Sequence, residues 1–275
     1  MPPRDGASVS RVSWVLGRRT AALVAATMMV GALAGCGGGG GGGDKAGTSD
    51  KTTVPSRSQP ARPTTPRTNG APTLAAGTTY VAQAVPARVA VYSAAGAAAP
   101  QTTLSNPNEN GAPLVFLVEQ SQGDWVKVDL PIRPNGSVGW VKAADVKLAA
   151  DPYSVDIALS AHRLTVHKGT QVVADEPIGV GTSETPTPGG KYYIKELLRP
   201  PNPGGAYGPY AYGLSGFSNV LDDFNGGDGV IGIHGTNDPS TVGHDVSHGC
   251  IRLNNKAIEA LVPMLPLGTP VHISA

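Results

Sequence analysis

The residues best suited to chemistry lie between Ile231 and Asn255, a stretch that reads IGIHGTNDPSTVGHDVSHGCIRLNN. It holds three of the six histidines of the chain and one of its two cysteines, Cys250. A free thiol is only slightly ionised at neutral pH, so a cysteine nucleophile needs a neighbouring base or a positive environment. A carbonyl that it attacks also needs backbone N–H groups for the developing oxyanion. The stretch therefore favours an activated sulfur nucleophile.

Cys250 is the candidate nucleophile and His234 the candidate general base. The two lie 16 positions apart, so a strand ending at His234 and a loop that doubles back would bring them together. The other ring nitrogen of His234 needs an orienting acceptor, for which we expect a backbone carbonyl near Gly235. Gly249 would let the backbone beside the thiol approach a substrate closely, because glycine tolerates conformations that other residues avoid.

Two other interpretations of this stretch are weighed against catalysis. His234, His244, His248 and Cys250 could ligate a metal ion, but no C-x-x-C or H-E-x-x-H pair is present, and glycine and proline interrupt any helix. Cys250 could also be a buried, inert thiol, although its polar, glycine-containing surroundings argue against an apolar pocket. We expect no metal and no organic cofactor.

The N-terminal region resembles the signal peptide of a bacterial lipoprotein. A basic segment precedes a short apolar run, too short to span a bilayer as a mature helix, and Leu33-Ala34-Gly35-Cys36 resembles a lipobox. The resemblance implies cleavage after residue 35, lipidation of Cys36, and a protein exported to the outer face of the cytoplasmic membrane. An ordinary secretory signal or a plain membrane anchor is the alternative. Without residues 1–35, four arginines and Asp5 are lost, and the net charge falls from +1 to −2.

The remainder divides into a tether and two domains. Residues 36–79 are rich in Gly, Pro and Thr without apolar periodicity, which predicts a disordered tether. Residues 80–150 contain short alternating strands separated by turn residues, and G-D-W-V-K-V followed by G-W-V-K resembles the bacterial SH3-like β domain. Its Trp125 and Trp140 could line a glycan- or peptide-binding groove or could be packing residues. The near-balanced charge gives no sign of a nucleic-acid binder.

Residues 151–275 form the candidate catalytic domain. Alternating apolar residues predict antiparallel strands from Tyr153 onward. Residues 197–229 show little periodicity and are interpreted as one long loop that could close over the thiol, with Tyr207, Tyr210 and Tyr212 on its apolar face. Asn255 is expected to cap a short helix before Pro263. The expected fold class is mostly β: a small SH3-like barrel followed by a β-sandwich-like catalytic domain with one short helix.

The motif H-G-T-N-D-P-S…V-S-H-G-C-I-R-L-N is similar to the signature of the L,D-transpeptidase catalytic domain, and T-P-T-P-G-G-K-Y with the segment from Tyr210 to Gly216 also matches. The resemblance covers about residues 153–274. It implies that Cys250 attacks the bond between meso-diaminopimelate and D-Ala in a tetrapeptide stem of peptidoglycan. The thioester then passes to the side-chain amine of a second, acceptor stem. It also implies acylation of the cysteine by carbapenems.

The resemblance also assigns residues. It makes Cys250 the nucleophile and His234 the general base, with backbone N–H groups of His248, Gly249 and Cys250 as the oxyanion hole. The remaining signature positions are interpreted as supporting or substrate-binding residues: Ser247, Tyr210, Gly235, Arg252 and Asn254. Arg252 would suit a carboxylate, because its guanidinium is a permanently charged fork of donors. The loop of 12 residues between His234 and Ser247 is shorter than in many mycobacterial members.

Three functional hypotheses stay open at this point. The expected function is transpeptidation by a lipid-anchored monomer. Water could replace the acceptor amine, which would make the protein an L,D-carboxypeptidase. The protein could also be a catalytically inactive wall-binding lipoprotein, although the presence of both His234 and Cys250 argues against this.

Overall fold

The computed structural model describes residues 76–222 and 228–275. The predicted signal peptide, the lipidation of Cys36 and all but the last four residues of the predicted tether lie outside these residues. In the part described, no helix is long and apolar enough to cross a membrane.

The N-terminal part of the described chain is built from seven strands. They are β1 (Thr79–Ala84), β2 (Arg88–Val91), β3 (Thr102–Ser105), β4 (Val115–Gln122), β5 (Trp125–Asp129), β6 (Val138–Lys142) and β7 (Val146–Asp151). Five of them form one sheet in the order β6-β5-β4-β1-β7, and β2 pairs with β3. Alternation explains the packing: Val126 and Val128 of β5 are buried, whereas Trp125, Lys127 and Asp129 are partly exposed.

The C-terminal part contains ten strands and one helix. They are β8 (Tyr153–Ala158), β9 (Arg163–Lys168), β10 (Gln171–Pro177), β11 (Val180–Gly181), β12 (Gly190–Leu198), β13 (Ala211–Phe217), β14 (Val230–His234), β15 (Asp245–Ser247), β16 (Ile251–Arg252), α1 (Asn255–Leu261) and β17 (Pro270–Ser274). Eight strands form a sheet in the order β10-β9-β8-β17-β12-β13-β14-β16, and β11 pairs with β15. The expectation of a mostly β protein with one short helix is confirmed.

Three pairings in this part are parallel, in addition to the antiparallel pairings expected from Tyr153 onward. They join β8 to β17, β14 to β16 and β11 to β15. The parallel pair of β14 and β16 matters most, because it places Cys250 next to the end of the strand that carries His234. Alternation within a strand reports which face is buried but carries no information about the direction of the partner strand.

The interpretation of residues 197–229 as one long loop is also wrong. Strand β13 runs through its middle, paired with β12 on one side and β14 on the other. Every residue of β13 is buried, so its sequence AYGLSGF lacks the apolar–polar alternation of a half-exposed strand. Twelve residues separate β12 from β13, and twelve separate β13 from β14.

The two sheets contact each other directly. Tyr193 of β12 is fully buried and packs with Val81, Val115 and Leu117 of the N-terminal sheet. Polar contacts extend the interface. Asn135 Nδ2 donates to the carbonyl oxygen of Phe217 at 2.8 Å, and Asn135 Oδ1 accepts the N–H of Phe217 at 2.9 Å. The N-terminal strands therefore support β12 and β13, and β13 pairs with β14, the strand that carries His234.

Candidate active site

Strands β14 and β16 bring His234 and Cys250 to one face at the edge of the larger sheet. Ile233 pairs with Ile251 and His234 with Arg252. Because side chains alternate along a strand, Gly232 and His234 share a face with Cys250 and Arg252. A Cβ placed on Gly232 would lie 3.8 Å from Cys250 Sγ and 3.9 Å from His234 Cδ2. The sulfur and the ring carbon are therefore less than 8 Å apart, because their summed distances through that point give 7.7 Å.

The His234 imidazole is held in one tautomer. Nδ1 lies 2.6 Å from the carbonyl oxygen of Gly235, which can only accept a hydrogen bond, so Nδ1 carries the proton. The ring is 4% exposed. The pKa of His234 is lowered to about 4, mainly by burial; the Gly235 carbonyl opposes this shift, and the positive charge of Arg252 adds to it. Near pH 7 the ring is neutral, with Nε2 free of a proton and able to act as a base.

Cys250 is partly exposed and is held as a thiol. Burial raises the pKa of Cys250, while a backbone hydrogen bond from Gly232 and the charge of Arg252 lower it. Since the imidazole is neutral as well, the resting pair is a neutral thiol beside a neutral base. In such a pair the thiol proton passes to the imidazole during nucleophilic attack, rather than beforehand to give a thiolate–imidazolium pair.

The turn before Cys250 is braced by Ser247. Its buried hydroxyl donates to the carbonyl of Cys250 at 2.6 Å and accepts the N–H of Gly249 at 3.1 Å. Gly249 has φ +112°, and a Cβ there would lie 3.3 Å from Ile231 Cδ1. The turn thus requires glycine at this position for both its backbone conformation and its packing.

These contacts correct the expected oxyanion hole. The N–H of Gly249 is already bonded to Ser247, so it is not directed at a substrate. The N–H groups of His248 and Cys250 stay as candidates. The side chain of His248 is exposed at the surface.

Three residues expected to bind substrate have other surroundings. The carbonyl of Tyr210 accepts the N–H of Gly235 at 3.2 Å, and its ring lies 5.5 Å from the Arg199 guanidinium. Gly235 orients His234 through its own carbonyl. Asn254 precedes α1, where its carbonyl accepts the helical N–H groups, and it borders a different, shallow cavity. The substrate contacts expected of Tyr210, Gly235 and Asn254 stay predictions.

Asn255 has a structural role that differs from the expected helix cap. The cap position belongs to Asn254, which makes no side-chain capping bond. Asn255 Oδ1 instead accepts the N–H of Thr236 at 2.9 Å and lies against the Cα side of Gly235 and Gly208. It therefore fixes the loop that follows His234. A residue recruited by a distant loop in this way is not recognisable from helix-capping rules.

An open cleft of about 820 Å³ leads to the pair. Its lining includes Cys250, His234, Gly232, Tyr207 and Glu196. The ring of Tyr207 meets the His234 ring edge to face, with centroids 4.8 Å apart. Tyr207, one of the three tyrosines expected over the thiol, therefore lies beside the candidate base.

Sequence reasoning missed Gly232 and Glu196 in this cleft, whereas Tyr207 was among the three tyrosines expected on the apolar face of a loop over the thiol. Gly232 carries a local signal, because a glycine two positions before His234 lies on the same strand face and leaves room for the thiol. Tyr207 lies in a loop, so its contact with His234 depends on how that loop folds. Glu196 carries no local signal at all, since it is brought to the cleft by pairing between β12 and β13.

Arg252 lies on the same face as the pair and influences both pKa values. Its Nε is buried and, within the described residues, has no hydrogen-bond partner. A buried donor without an acceptor is costly, so this atom is suited to an incoming anionic or carbonyl oxygen. In residues 76–222 and 228–275, no group of three His, Cys, Asp or Glu side chains is arranged to hold a metal ion.

Comparison with known proteins places this part of the chain in a known family. Residues 152–273 match the family model of the YkuD L,D-transpeptidase catalytic domain. The chain is 30% identical over 138 residues to YqjB of Bacillus subtilis (strain 168), a match that covers 46% of this chain and 73% of that protein. The chain belongs to the YkuD family of L,D-transpeptidase catalytic domains.

Other relatives match over the same region. YkuD of Bacillus subtilis (strain 168) is 38% identical over 123 residues, which covers 45% of this chain and 66% of that protein. Both Bacillus proteins carry the name L,D-transpeptidase. Among solved structures, Bd1075 of Bdellovibrio bacteriovorus is 26% identical with a TM-score of 0.36, covering 45% of this chain and 47% of that one. The YkuD-family match begins one residue before β8, so it includes His234 and Cys250 but not the N-terminal sheet.

Proposed function

We propose that this protein is a peptidoglycan L,D-transpeptidase that works through a thioester on Cys250. The proposal rests on the placement of Cys250 Sγ and the His234 ring on the same side of Gly232, where the glycine has no side chain, in a chain of the YkuD family. The donor is a tetrapeptide stem, and the acceptor is the side-chain amine of a second stem. The product joins the two diaminopimelate residues.

The reaction divides into two halves. As Cys250 Sγ attacks the carbonyl carbon between diaminopimelate and D-Ala, Nε2 of His234 takes the thiol proton. The tetrahedral intermediate collapses when His234 gives that proton to the leaving nitrogen of D-Ala, which leaves a thioester. In the second half the acceptor amine attacks the thioester, His234 receives its proton, and the sulfur departs and is reprotonated.

The surroundings of the pair support these roles. The Gly235 carbonyl keeps the Nδ1 proton in place, so that Nε2 faces the reaction as an acceptor. Arg252 carries a permanent charge and an unsatisfied buried donor, and we assign it to an oxygen of the substrate. Backbone N–H groups at His248 and Cys250 are the proposed donors to the oxyanion.

The N-terminal features complete the proposal. A lipobox around Cys36 supports export and anchoring at the outer face of the cytoplasmic membrane, where peptidoglycan is the accessible polymer. The small N-terminal β region, which resembles an SH3-like domain, is proposed as a support for the catalytic part rather than as an independent catalyst. Trp125 and Trp140 stay candidates for a ligand contact on its surface.

A muropeptide assay tests this function. The purified full-length chain is incubated with disaccharide-tetrapeptide, and products are separated by mass. The proposal expects released D-Ala and cross-linked dimers, both absent in Cys250→Ala and strongly reduced in His234→Ala. Release of D-Ala with only trimmed tripeptide would indicate a carboxypeptidase instead. A wild-type protein that releases no D-Ala would overturn the proposal.

A further inference from the structure

Four residues form a row across the larger sheet and end at the candidate nucleophile. Glu196 pairs with Gly213, and Gly213 pairs with Gly232. Gly232 comes one residue before the pair of Ile233 with Ile251, so it aligns with Cys250. The row therefore has a carboxylate at one end, a thiol at the other, and two residues without side chains between them.

The Glu196 side chain lies over the first of these glycines. A Cβ on Gly213 would lie 2.5 Å from Oε1 and 3.0 Å from Cδ of Glu196. A Cβ on Gly232 would lie 3.8 Å from Cys250 Sγ. Since paired Cβ positions on antiparallel strands are about 5 Å apart, the carboxylate and the sulfur are separated by at most about 12 Å. Both groups line the same cleft, with the two glycines as its floor.

Two asparagines of the N-terminal domain hold this carboxylate. Nδ2 of Asn108 and Nδ2 of Asn110 donate to Oε2 of Glu196, at 2.8 and 3.0 Å. These donors are neutral, so they orient the carboxylate without cancelling its charge. Both asparagines lie in the loop between β3 and β4, more than 80 positions before Glu196 in the sequence. The N-terminal part of the described chain therefore shapes the cleft directly.

The charge of Glu196 is only partly balanced. Nζ of Lys195 lies 3.8 Å from Oε1 of Glu196 and 3.6 Å from Oε1 of Glu109, distances too long for good hydrogen bonds. One ammonium thus lies near two carboxylates, so the cluster of Lys195, Glu109 and Glu196 keeps a net negative charge. A side chain that is 3% exposed and faces a cleft in this state is suited to a cationic ligand group.

We propose that Glu196 recognises a side-chain ammonium on the donor peptide, with Asn108 and Asn110 as positioning residues. The inference rests on the proposed function and names a specificity determinant for it. In a donor whose attacked residue is a long diamino acid, six bonds join the carbonyl carbon to the ammonium nitrogen, an extended reach of about 7.5 Å.

The lengths of the contacts fit this assignment. Attack requires about 3 Å between sulfur and carbonyl carbon. A charged N–H···O bond adds about 2.8 Å at the other end. The extended side chain, the attack distance and the hydrogen bond together span about 13 Å, which is enough to bridge the separation of at most about 12 Å between the sulfur and the carboxylate. The side chain of the diamino acid would lie over Gly213 and Gly232, where the methyl group of an alanine would block it.

Single-turnover acylation of the full-length chain tests the inference. Two donors are compared by intact mass: a tetrapeptide with diaminopimelate at its third position, and the same peptide with the side-chain amine acetylated. Wild type is expected to be acylated faster by the ammonium form by about 10- to 100-fold, the range for a charged hydrogen bond. Glu196→Gln should lose this preference because its rate with the ammonium form falls to that with the acetylated form.

Controls separate recognition from a structural role. Glu259→Gln removes an exposed carboxylate of α1 and should keep the wild-type preference. Alkylation of Cys250 by iodoacetamide, which has no ammonium, should proceed equally in wild type and Glu196→Gln. If Glu196→Gln does not fold, Asn110→Ala, which changes an exposed residue, should still weaken the preference.

The outcomes distinguish this inference from the proposed function. A wild-type protein that is acylated equally by both peptides, or a folded Glu196→Gln that keeps the preference, would overturn the role of Glu196 and leave the thiol mechanism intact. A wild-type protein that is acylated by neither peptide would contradict the proposed function itself.

Discussion

Acid is expected to destabilise this protein through His234. Burial lowers the pKa of His234 to about 4, against an ordinary value of 6.5. The unfolded chain therefore takes up a proton at a pH where the folded chain does not. Above pH 6.5 the imidazole is neutral in both states and stability is not reduced. As the pH falls from 6.5 towards 4, the free energy of unfolding decreases because only the unfolded imidazole becomes charged. At pH 5.0 the unfolded imidazole is charged and the folded one is not, a difference of about 2 kcal/mol.

Urea unfolding at pH 7.5 and pH 5.0 measures this loss. Wild type should lose about 2 kcal/mol more than His234→Gln, because glutamine does not titrate. Carboxyl groups such as that of Asp151, whose pKa is raised by burial, are present in both proteins and cancel in the comparison. His244→Gln, which changes an exposed histidine, should behave as wild type. Equal losses in wild type and His234→Gln would refute a buried, neutral imidazole at this position.

Three further changes probe the same site. Gly232→Ala places a methyl 3.8 Å from Cys250 Sγ and 3.1 Å from the Tyr212 carbonyl oxygen, and should slow acylation by about 10- to 100-fold. The close contact with a strand carbonyl should also lower thermal stability, and an unchanged rate of acylation would contradict the assigned geometry. Ser247→Ala leaves a buried N–H and a carbonyl without their partner and should lower the free energy of unfolding by about 1–3 kcal/mol, measured in urea; a neutral effect would show that the brace is dispensable. Because burial raises the pKa of Cys250, its alkylation by iodoacetamide should reach half its maximal rate at a higher pH than that of a free cysteine, and a midpoint below the free value would indicate a preformed thiolate.

Several features of the fold and site were predictable from local patterns. Alternation in Val230–His234 indicates a strand with His234 at its end, and the glycine before Cys250 indicates a turn that needs an unusual backbone conformation. Together they bring the imidazole and the thiol to one sheet edge, as the structure has them. The carbonyl of Gly235 was expected beside the ring, and it lies 2.6 Å from Nδ1.

Other features depend on packing between distant segments. Strand β13 is buried on both faces, so the alternation that would reveal it is absent. The choice of Tyr207 over Tyr210 beside His234 is decided by the path of a loop. The N–H of Gly249 is taken by the hydroxyl of Ser247, two residues earlier, and this bond exists only once the turn has formed. Glu196 is held by asparagines from the other sheet, which no pattern near residue 196 could indicate.

The central claim is that the sulfur of Cys250 becomes acylated with the help of the neutral imidazole of His234. Intact-mass and peptide-mapping analysis of the full-length chain, quenched within one turnover with a tetrapeptide donor, tests it directly. The account predicts a mass gain of the tripeptide acyl group on Cys250, lost on addition of an acceptor amine and formed far more slowly in His234→Ala. A chain that releases D-Ala without any adduct on Cys250, or equally fast acylation of His234→Ala, would contradict it.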